Sequence, residues 1–365
     1  MKKNLLIILA VMLISITKGY SQASFSTGAM NVTVGTYGKV LLYTPDGTEQ
    51  LHRATILVGT SSTAVFDHEN DAEVVDATTL VATPLTSDFE IYGSYDNSYS
   101  GDPPAVLVKE NIFGWNNEAF TIAKYSIKNN GAVALNASAG LEILPYLNEI
   151  YGLDTVTYNA EEGVIRFHRG TGVNMGMKLL SSSLSSLYSF EWYDAYQVDS
   201  DFWTWMNHGS LQPEYISTVV DAGPVTITSQ APVSIAPGES FTVFYAMALG
   251  STEQSMLANI SAAKLKYDLL TVSVKENQLA GVQLKNYPNP VKLTTTISYQ
   301  LPGNGFVSLN VYDALGNERA VLVNEKQTEG FHTIDFDAKD LANGVYSYRL
   351  RFNDQFISNK MMLIK

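Results

Sequence analysis

The chain has 365 residues, no cysteine and a formal net charge of −13. Disulfides are therefore excluded, and the length predicts two domains that each bury a hydrophobic core. Once the three lysines of residues 1–23 and the nine basic and eight acidic side chains of residues 281–365 are set aside, residues 24–280 keep 11 basic and 28 acidic side chains, a net charge of −17. Such a surface argues against nucleic acid and anionic membrane as partners.

The first 23 residues have the pattern of a cleavable signal peptide. Lys2 and Lys3 make a basic start, residues 5–16 are apolar, and small residues surround Gln22. This stretch is too short to span a bilayer. Cleavage after Ala23 fits the pattern, and cleavage after Ser21 is the alternative. No later stretch has about 18 apolar residues, so no transmembrane segment is expected after signal cleavage.

Residues 24–270 are predicted to be mostly β-strand. Short segments rich in Val, Thr and Tyr are bounded by Gly, Pro, Asn or Asp, which is typical of antiparallel strands joined by turns. The clearest predicted strands are residues 31–37, 40–43, 53–58, 120–127, 164–168, 225–229 and 240–248. We therefore expect a large antiparallel β-sandwich.

Two acidic runs in this region could supply oxygen ligands for Ca²⁺. Their members are Asp67, Glu69, Asn70, Asp71 and Glu73, and then Asp96, Asn97 and Asp102. Calcium takes six to eight hard oxygen ligands, which such loops can offer. Neither run has the spacing of a known calcium loop, so solvated acidic loops are the favoured interpretation, with calcium as the alternative cofactor.

Residues 188–208 combine aromatic rings with carboxylates. The candidate contact residues are Trp192, Tyr193, Asp194, Asp201, Trp203 and Trp205. Glycan sites use flat aromatic faces against pyranose CH groups and carboxylates that accept hydroxyl hydrogen bonds. Paired carboxylates could also cleave a glycosidic bond if their separation were suitable. The favoured interpretation is that these rings pack under a long loop; glycan contact and hydrolysis are the alternatives.

One helix is predicted, over residues 252–270. Met256, Ile260 and Ala263 continue into Tyr267 and Leu270 at alternating steps of four and three, which makes one apolar stripe for docking on a sheet. Ser251 or Thr252 would cap its first turn. Residues 271–286 then form a linker.

The region 24–275 resembles a β-rich extracellular domain of secreted Bacteroidota proteins, often found beside a peptidase. The resemblance rests on Ile56-Leu57-Val58-Gly59-Thr60 and on Leu249-Gly250 with the helix that follows. That family usually carries a D-W-D cluster in mid-domain, which residues 148–154 lack. Any metal that the cluster holds in relatives is therefore not expected here, and no peptidase domain accompanies the region.

Motifs typical of catalytic, nucleotide-binding and metal-binding sites are missing from the sequence. It has no cysteine nucleophile, H-E-x-x-H, G-x-S-x-G, P-loop or EF-hand loop. The five histidines are scattered and no two stand at i, i+2 or i, i+4, so a zinc site is not expected. We predict no catalytic residues and no metal ligands.

Residues 287–365 are predicted to form a small Ig-like sandwich. Apolar residues alternate over Ile297, Tyr299 and Leu301 and again over later segments, as in half-buried strands. Gly and Asn occupy the intervening turns, where a positive φ costs them little. Six or seven short strands at this spacing make an antiparallel sandwich.

Five short motifs run in order through the same segment. They are Tyr287-Pro288-Asn289-Pro290, Val311-Tyr312-Asp313-Ala314-Leu315-Gly316, Gly330 with His332, Leu341-Ala342-Asn343-Gly344-Val345-Tyr346, and Lys360 with Lys365. The segment resembles the type A C-terminal sorting domain of type IX secretion in the Bacteroidota. The resemblance implies export through the periplasm to the cell surface or medium, with the type IX secretion machinery as a partner.

The sequence as a whole predicts an all-β protein with a large sandwich, one late helix and a small Ig-like sandwich. We interpret it as an exported, non-catalytic structural or interaction module. The alternative is a glycan-binding protein or glycoside hydrolase that uses residues 188–208, with a surface glycan as partner.

Overall fold

The computed structural model describes residues 22–274, 284–313, 318–352 and 355–365. The chain divides into two compact units, Met1–Lys264 and Leu265–Lys365. The predicted signal peptide and linker lie largely outside the described residues. Strand β1 begins at Ala23, so cleavage after Ser21 would leave this strand whole, whereas cleavage after Ala23 would remove its first residue.

The first unit contains eighteen of the described strands. They are β1 Ala23–Ser26, β2 Asn31–Val34, β3 Val40–Tyr43, β4 Glu49–Ser61, β5 Ala64–Phe66, β6 Glu73–Leu80, β7 Phe89–Asp96, β8 Val106–Gly114, β9 Phe120–Asn129, β10 Leu135–Pro145, β11 Thr155–Asn159, β12 Val164–His168, β13 Asn174–Leu179, β14 Leu184–Glu191, β15 Glu214–Ile216, β16 Pro224–Gln230, β17 Val233–Ile235 and β18 Ser240–Gly250. Short 3-10 turns cover Thr36–Gly38 and Leu147–Glu149.

These strands form two nine-stranded antiparallel sheets. The first has the order β1-β2-β3-β4-β10-β16-β14, with β5 added to β4 and β17 added to β10. The second has the order β15-β11-β12-β13-β18-β9-β8-β7-β6. One continuous core takes side chains from both sheets, among them Val32, Ile56, Ile112, Tyr125 and Met247. The predicted large sandwich is confirmed.

Two α-helices accompany the sheets. Helix α1 is Asp199–Met206 and helix α2 is Glu253–Val274. The Thr252 hydroxyl accepts a hydrogen bond from the Ser255 N–H at 3.1 Å and so caps α2 as predicted. Met256 and Ile260 lie against Gly176 on β13, where a Cβ atom would be 2.1 Å from the Met256 sulfur. The absence of a side chain at Gly176 therefore lets α2 approach the sheet.

The second unit holds seven described strands around its own core. They are β19 Leu284–Tyr287, β20 Thr294–Leu301, β21 Gly305–Tyr312, β22 Glu318–Gln327, β23 Gly330–Asp337, β24 Gly344–Phe352 and β25 Gln355–Leu363. They form the sheets β19-β20-β23 and β22-β21-β24-β25. Ile297 and Tyr299 of one sheet share a core cluster with Leu309 and Leu350 of the other. The strand count and the sandwich agree with the sequence prediction.

Three local expectations need correction. Predicted strand 31–37 ends at Val34, because Tyr37 and Gly38 take the left-handed φ values of 61° and 74°. Helix α2 continues to Val274, beyond the predicted end at Leu270. Helix α1 lies inside the aromatic segment and was not predicted, because its eight residues include two tryptophans and no Ala, Leu, Lys or Arg.

Candidate functional site

The aromatic segment leaves β14 at Glu191, crosses residues 192–198 as a loop and ends in α1. Trp203 and Trp205 stand two residues apart on the helix, about 200° apart around its axis. They would share a side only on an extended strand. Both are half-buried against a small hydrophobic cluster outside the main core. The Trp205 ring stacks on the Phe190 ring with centroids 4.1 Å apart. The Trp203 ring packs against the backbone of Gly59, where a Cβ atom would lie 3.2 Å from it.

Three of the other four predicted contact residues are exposed. Trp192 is 40% exposed and Tyr193 is 46% exposed, and Asp194 beside them is exposed as well. The Tyr193 hydroxyl donates to Asp201 Oδ2 at 3.1 Å. The predicted set therefore separates into the packing rings Trp203 and Trp205, an exposed group of Trp192, Tyr193 and Asp194, and the half-buried Asp201.

A buried ion pair that the sequence prediction missed lies under this segment. Arg53 on β4 donates from Nη2 to Glu142 Oε1 on β10 at 2.9 Å. The same guanidinium nitrogen donates to the Tyr196 hydroxyl at 2.5 Å, and Tyr196 in turn donates to Glu142. The Thr55 hydroxyl donates to the second carboxylate oxygen, Glu142 Oε2, at 3.1 Å. Burial and the Glu142 carboxylate raise the pKa of Tyr196, so this phenol stays protonated.

His68 connects this ion pair with a carboxylate nearer the solvent. Its Nδ1 lies 3.8 Å from Glu142 Oε2, and its Nε2 lies 3.9 Å from Glu69 Oε2. Burial, with the neighbouring Arg53, lowers the pKa of His68 to about 3, so the ring is neutral at ordinary pH. The Glu69 side chain is 56% exposed and accepts from Gln197 Nε2 at 3.1 Å.

A second row of polar side chains in contact with one another lies beside Arg53. Lys39 Nζ lies 3.1 Å from His52 Nε2, and His52 Nδ1 lies 3.0 Å from Glu49 Oε1. Burial and the charge of Arg53 lower the pKa of Lys39. The rings of Tyr146 and Tyr151 stand edge-on to His52, with centroids 5.9 and 5.7 Å away. We call Lys39, Glu49, His52, Arg53, His68, Glu69, Glu142 and Tyr196 the ionic cluster.

Three loops frame the ionic cluster: residues 146–153, 192–198 and 217–223. Leu153 N donates to Val219 O at 3.2 Å, and Trp192 N donates to Gly223 O at 3.0 Å, so the loops are tied together. They contain five of the seven described non-glycine residues with positive φ, namely Asn148, Glu149, Leu153, Ala195 and Asp221. Such backbone strain concentrates at functional sites. We call this surface the loop face.

Arg169 fastens the first of these loops. Its guanidinium donates to Asp154 Oδ1 at 2.9 Å, to Ile150 O at 2.9 Å and to Gly152 O. Asp154 is fully buried, and burial raises its pKa to about 6 even with Arg169 beside it. One side chain thus holds two carbonyl groups of the strained loop in place.

The loop face carries apolar side chains around its polar centre. The exposed ones on these loops are Ile150, Leu153, Trp192, Tyr193, Val198, Val219 and Val220. Apolar surface beside buried polar groups that converge on one place is typical of a ligand site. The sequence offered no signal for this gathering, because residues 53, 68, 142 and 196 are far apart along the chain.

Several of the predicted calcium ligands accept hydrogen bonds from backbone or hydroxyl groups of nearby loops. Asp67 Oδ1 accepts from the N–H groups of Glu69 and Asn70 at 2.8 and 2.9 Å, and Asp71 accepts from Ser100 at 2.6 Å. Asp96 accepts from Ser98 in the same way. Among the described residues, no three acidic or histidine side chains gather in an arrangement suited to a metal ion.

The motifs of the second unit lie around its C-terminal strand. Asn289 exchanges hydrogen bonds with Lys360 O at 3.1 Å and Met362 N at 2.9 Å, which fastens the Tyr287–Pro290 motif to β25. The carbonyl of Pro288 accepts from the Thr295 hydroxyl at 2.9 Å, and Tyr287 itself is exposed.

The remaining motif residues close turns. Asp313 pairs with Arg319 at 2.6 Å, and Tyr346 donates to Ala342 O at 2.9 Å. Lys365 Nζ donates to Leu341 O at 2.7 Å. Gly330 and Gly344 have φ values of 124° and 155°, a conformation that side chains disfavour. Gly316 lies outside the described residues.

Residues 285–365 match the family model of the secretion system C-terminal sorting domain, which confirms the prediction from the five motifs. The sorting domain directs the protein to the cell surface or the medium and implies contact with the type IX secretion machinery. No helix in the described ranges is long and apolar enough to cross a membrane.

No curated protein matches the chain. Among solved structures, the chain is similar to a bacterial glucoamylase complexed with acarbose, with 11% identity, a TM-score of 0.46 and coverage of 67% of this chain and 34% of that one. It therefore spans about a third of the glucoamylase. It is also similar to a putative aldose 1-epimerase from Escherichia coli K12, with 13% identity, a TM-score of 0.40 and coverage of 64% and 99%.

Proposed function

We propose that this exported protein is a non-catalytic interaction module that binds a glycan on the loop face. The observation that carries the proposal is the placement of exposed Trp192 and Tyr193 on loops that also enclose the ionic cluster. Aromatic faces pack on the CH groups of a pyranose, while charged and amide groups exchange hydrogen bonds with its hydroxyls.

Strain in the three loops supports a binding role for this surface. Each left-handed non-glycine residue costs about 1–3 kcal/mol and persists only where the surrounding structure holds it. Arg169 and the hydrogen bonds between the loops provide that support. A loop face held in one conformation before the ligand arrives loses little entropy on binding.

The loop face binds the glycan without cleaving it. Glu142 is fully buried and accepts hydrogen bonds on both oxygens, from Arg53 and Tyr196 on one and from Thr55 on the other. A general acid or nucleophile needs contact with the scissile bond. Glu142 offers none.

The test is retention of the purified chain on immobilised neutral and acidic polysaccharides. The double variant Trp192→Ala/Tyr193→Ala should weaken binding at least about tenfold, because both platform rings are lost. The control is Phe331→Ala, which removes an exposed ring of the sorting domain. Retention of the double variant equal to that of the wild type would contradict the proposal, as would sugar release from a bound glycan.

A further inference from the structure

The cations of the ionic cluster are already engaged. Arg53 donates to Glu142 and Tyr196, and its Nη1 lies 3.9 Å from Glu69 Oε2. Lys39 faces His52, whose other nitrogen faces Glu49. The two basic side chains of the cluster, Arg53 and Lys39, are thus outnumbered by the three acidic side chains of Glu49, Glu69 and Glu142.

The surroundings of the cluster are acidic too. Asp194 and Asp201 stand beside the exposed rings, and Glu149 lies on the first loop with its carboxylate 3.4 Å from the backbone nitrogen of Glu49. No basic side chain occurs in residues 146–153, 192–198 or 217–223. A carboxylate or sulfate on a ligand would therefore meet like charges at the rim and no free cation at the centre.

We infer that the loop face takes uncharged glycans and rejects acidic ones, and that Glu69 is the residue that sets this selectivity. The inference rests on the proposed function. Glu69 is the one carboxylate of the ionic cluster that is both largely exposed and in contact with the buried groups, since it lies 3.9 Å from both Arg53 and His68. Its carboxylate accepts hydrogen bonds from neutral hydroxyls and repels a second anion at the same place.

The experiment measures the affinity of the purified chain by calorimetry for two matched series, neutral glucan or mannan oligosaccharides and oligogalacturonates. The wild type should bind a neutral series at least about tenfold more tightly than the acidic one at low salt, a difference that corresponds to about 1.4 kcal/mol. Glu69→Gln should lower the ratio of neutral to acidic affinity, because the amide keeps an acceptor oxygen but carries no charge.

Glu239→Gln is the control. Glu239 is exposed and follows β17, which pairs with the beginning of β10, at the opposite end of that strand from residues 146–153. The Glu239→Gln variant should show the same ratio of neutral to acidic affinity as the wild type. Tighter binding of the acidic series, or an unchanged ratio in Glu69→Gln, would overturn the inference and leave the proposed function standing. If neither series binds, the proposed function fails and the inference fails with it.

Discussion

Glu110 is a carboxyl group placed inside the core of the first unit. It lies on β8 and is buried together with the rings of Tyr95 and Tyr125. A Cβ atom at Gly38 would lie 2.7 Å from Glu110 Oε2, so the left-handed turn at Gly38 closes directly over the acid. Burial raises the pKa of Glu110 to about 8, although the Tyr125 hydroxyl partly counteracts the shift. The acid is therefore protonated at neutral pH.

The protonated acid gives stability a definite pH dependence. In the unfolded chain a glutamic acid ionises near pH 4.5, so the folded state holds one more proton between about pH 4.5 and pH 8. Its stabilising contribution is present below pH 4.5 and is lost as pH rises towards 8, with a slope of up to about 1.4 kcal/mol per pH unit. Denaturant unfolding of Glu110→Gln should show a smaller fall over this range than the wild type.

The comparison of variants isolates Glu110 from other groups that titrate in the same range. Glu161→Gln, which changes an exposed residue, should leave the slope of stability against pH unchanged. Parallel curves for the wild type and Glu110→Gln would show that this carboxyl group ionises normally in the folded protein.

Individual site residues were the part of the structure that sequence patterns predicted least well. Trp192 and Tyr193 were identified because aromatic and acidic residues are close together in the chain. Arg53 and Glu142 were not, because their contact joins positions 89 residues apart and depends on the pairing of β4 with β10. Residue type alone also gave no indication that one carboxyl group, Glu110, is buried and protonated.

At the scale of elements, the strands were predicted well where turns bounded them. Strands β3 and β12 begin and end at the predicted residues, and β16 and β18 differ from prediction by one or two residues at an end. Gly, Pro and Asp at the turns set these limits through local backbone geometry. Helix α1 was missed because packing against the hydrophobic cluster, rather than helix propensity, stabilises it.

Helix α1 yields a prediction about stability. Trp205→Ala removes a half-buried ring stacked on Phe190 and should lower the free energy of unfolding of the first unit by about 2 kcal/mol, below the 3–5 kcal/mol of a fully buried aromatic. Trp192→Ala, at a more exposed ring, should change it by less than about 0.5 kcal/mol. Denaturant unfolding followed by circular dichroism measures both. Equal losses in the two variants would show that the division into packing and surface rings is wrong.

At the scale of the whole molecule, the acidic charge lies in one part of the chain and the sorting signal in the other. Residues 24–280 carry the net charge of −17, whereas residues 281–365 are nearly neutral with nine basic and eight acidic side chains. Each unit has a hydrophobic core of its own. Sequence motifs predicted the sorting domain because they are local turn and strand signals, while the proposed glycan site depends on long-range contacts.

Separate cores lead to a prediction about export. Deletion of residues 287–365 removes the sorting domain and none of the side chains in the core of the first unit. The first unit should therefore fold, since domains with their own cores are stable alone. It should accumulate in the periplasm, because the segment that the secretion machinery recognises is missing. Cell fractionation with antibody detection compares it with the full-length chain, and circular dichroism of the retained protein checks that it has folded. Recovery of the folded truncated protein outside the cell at the level of the full-length chain would show that export does not depend on these residues.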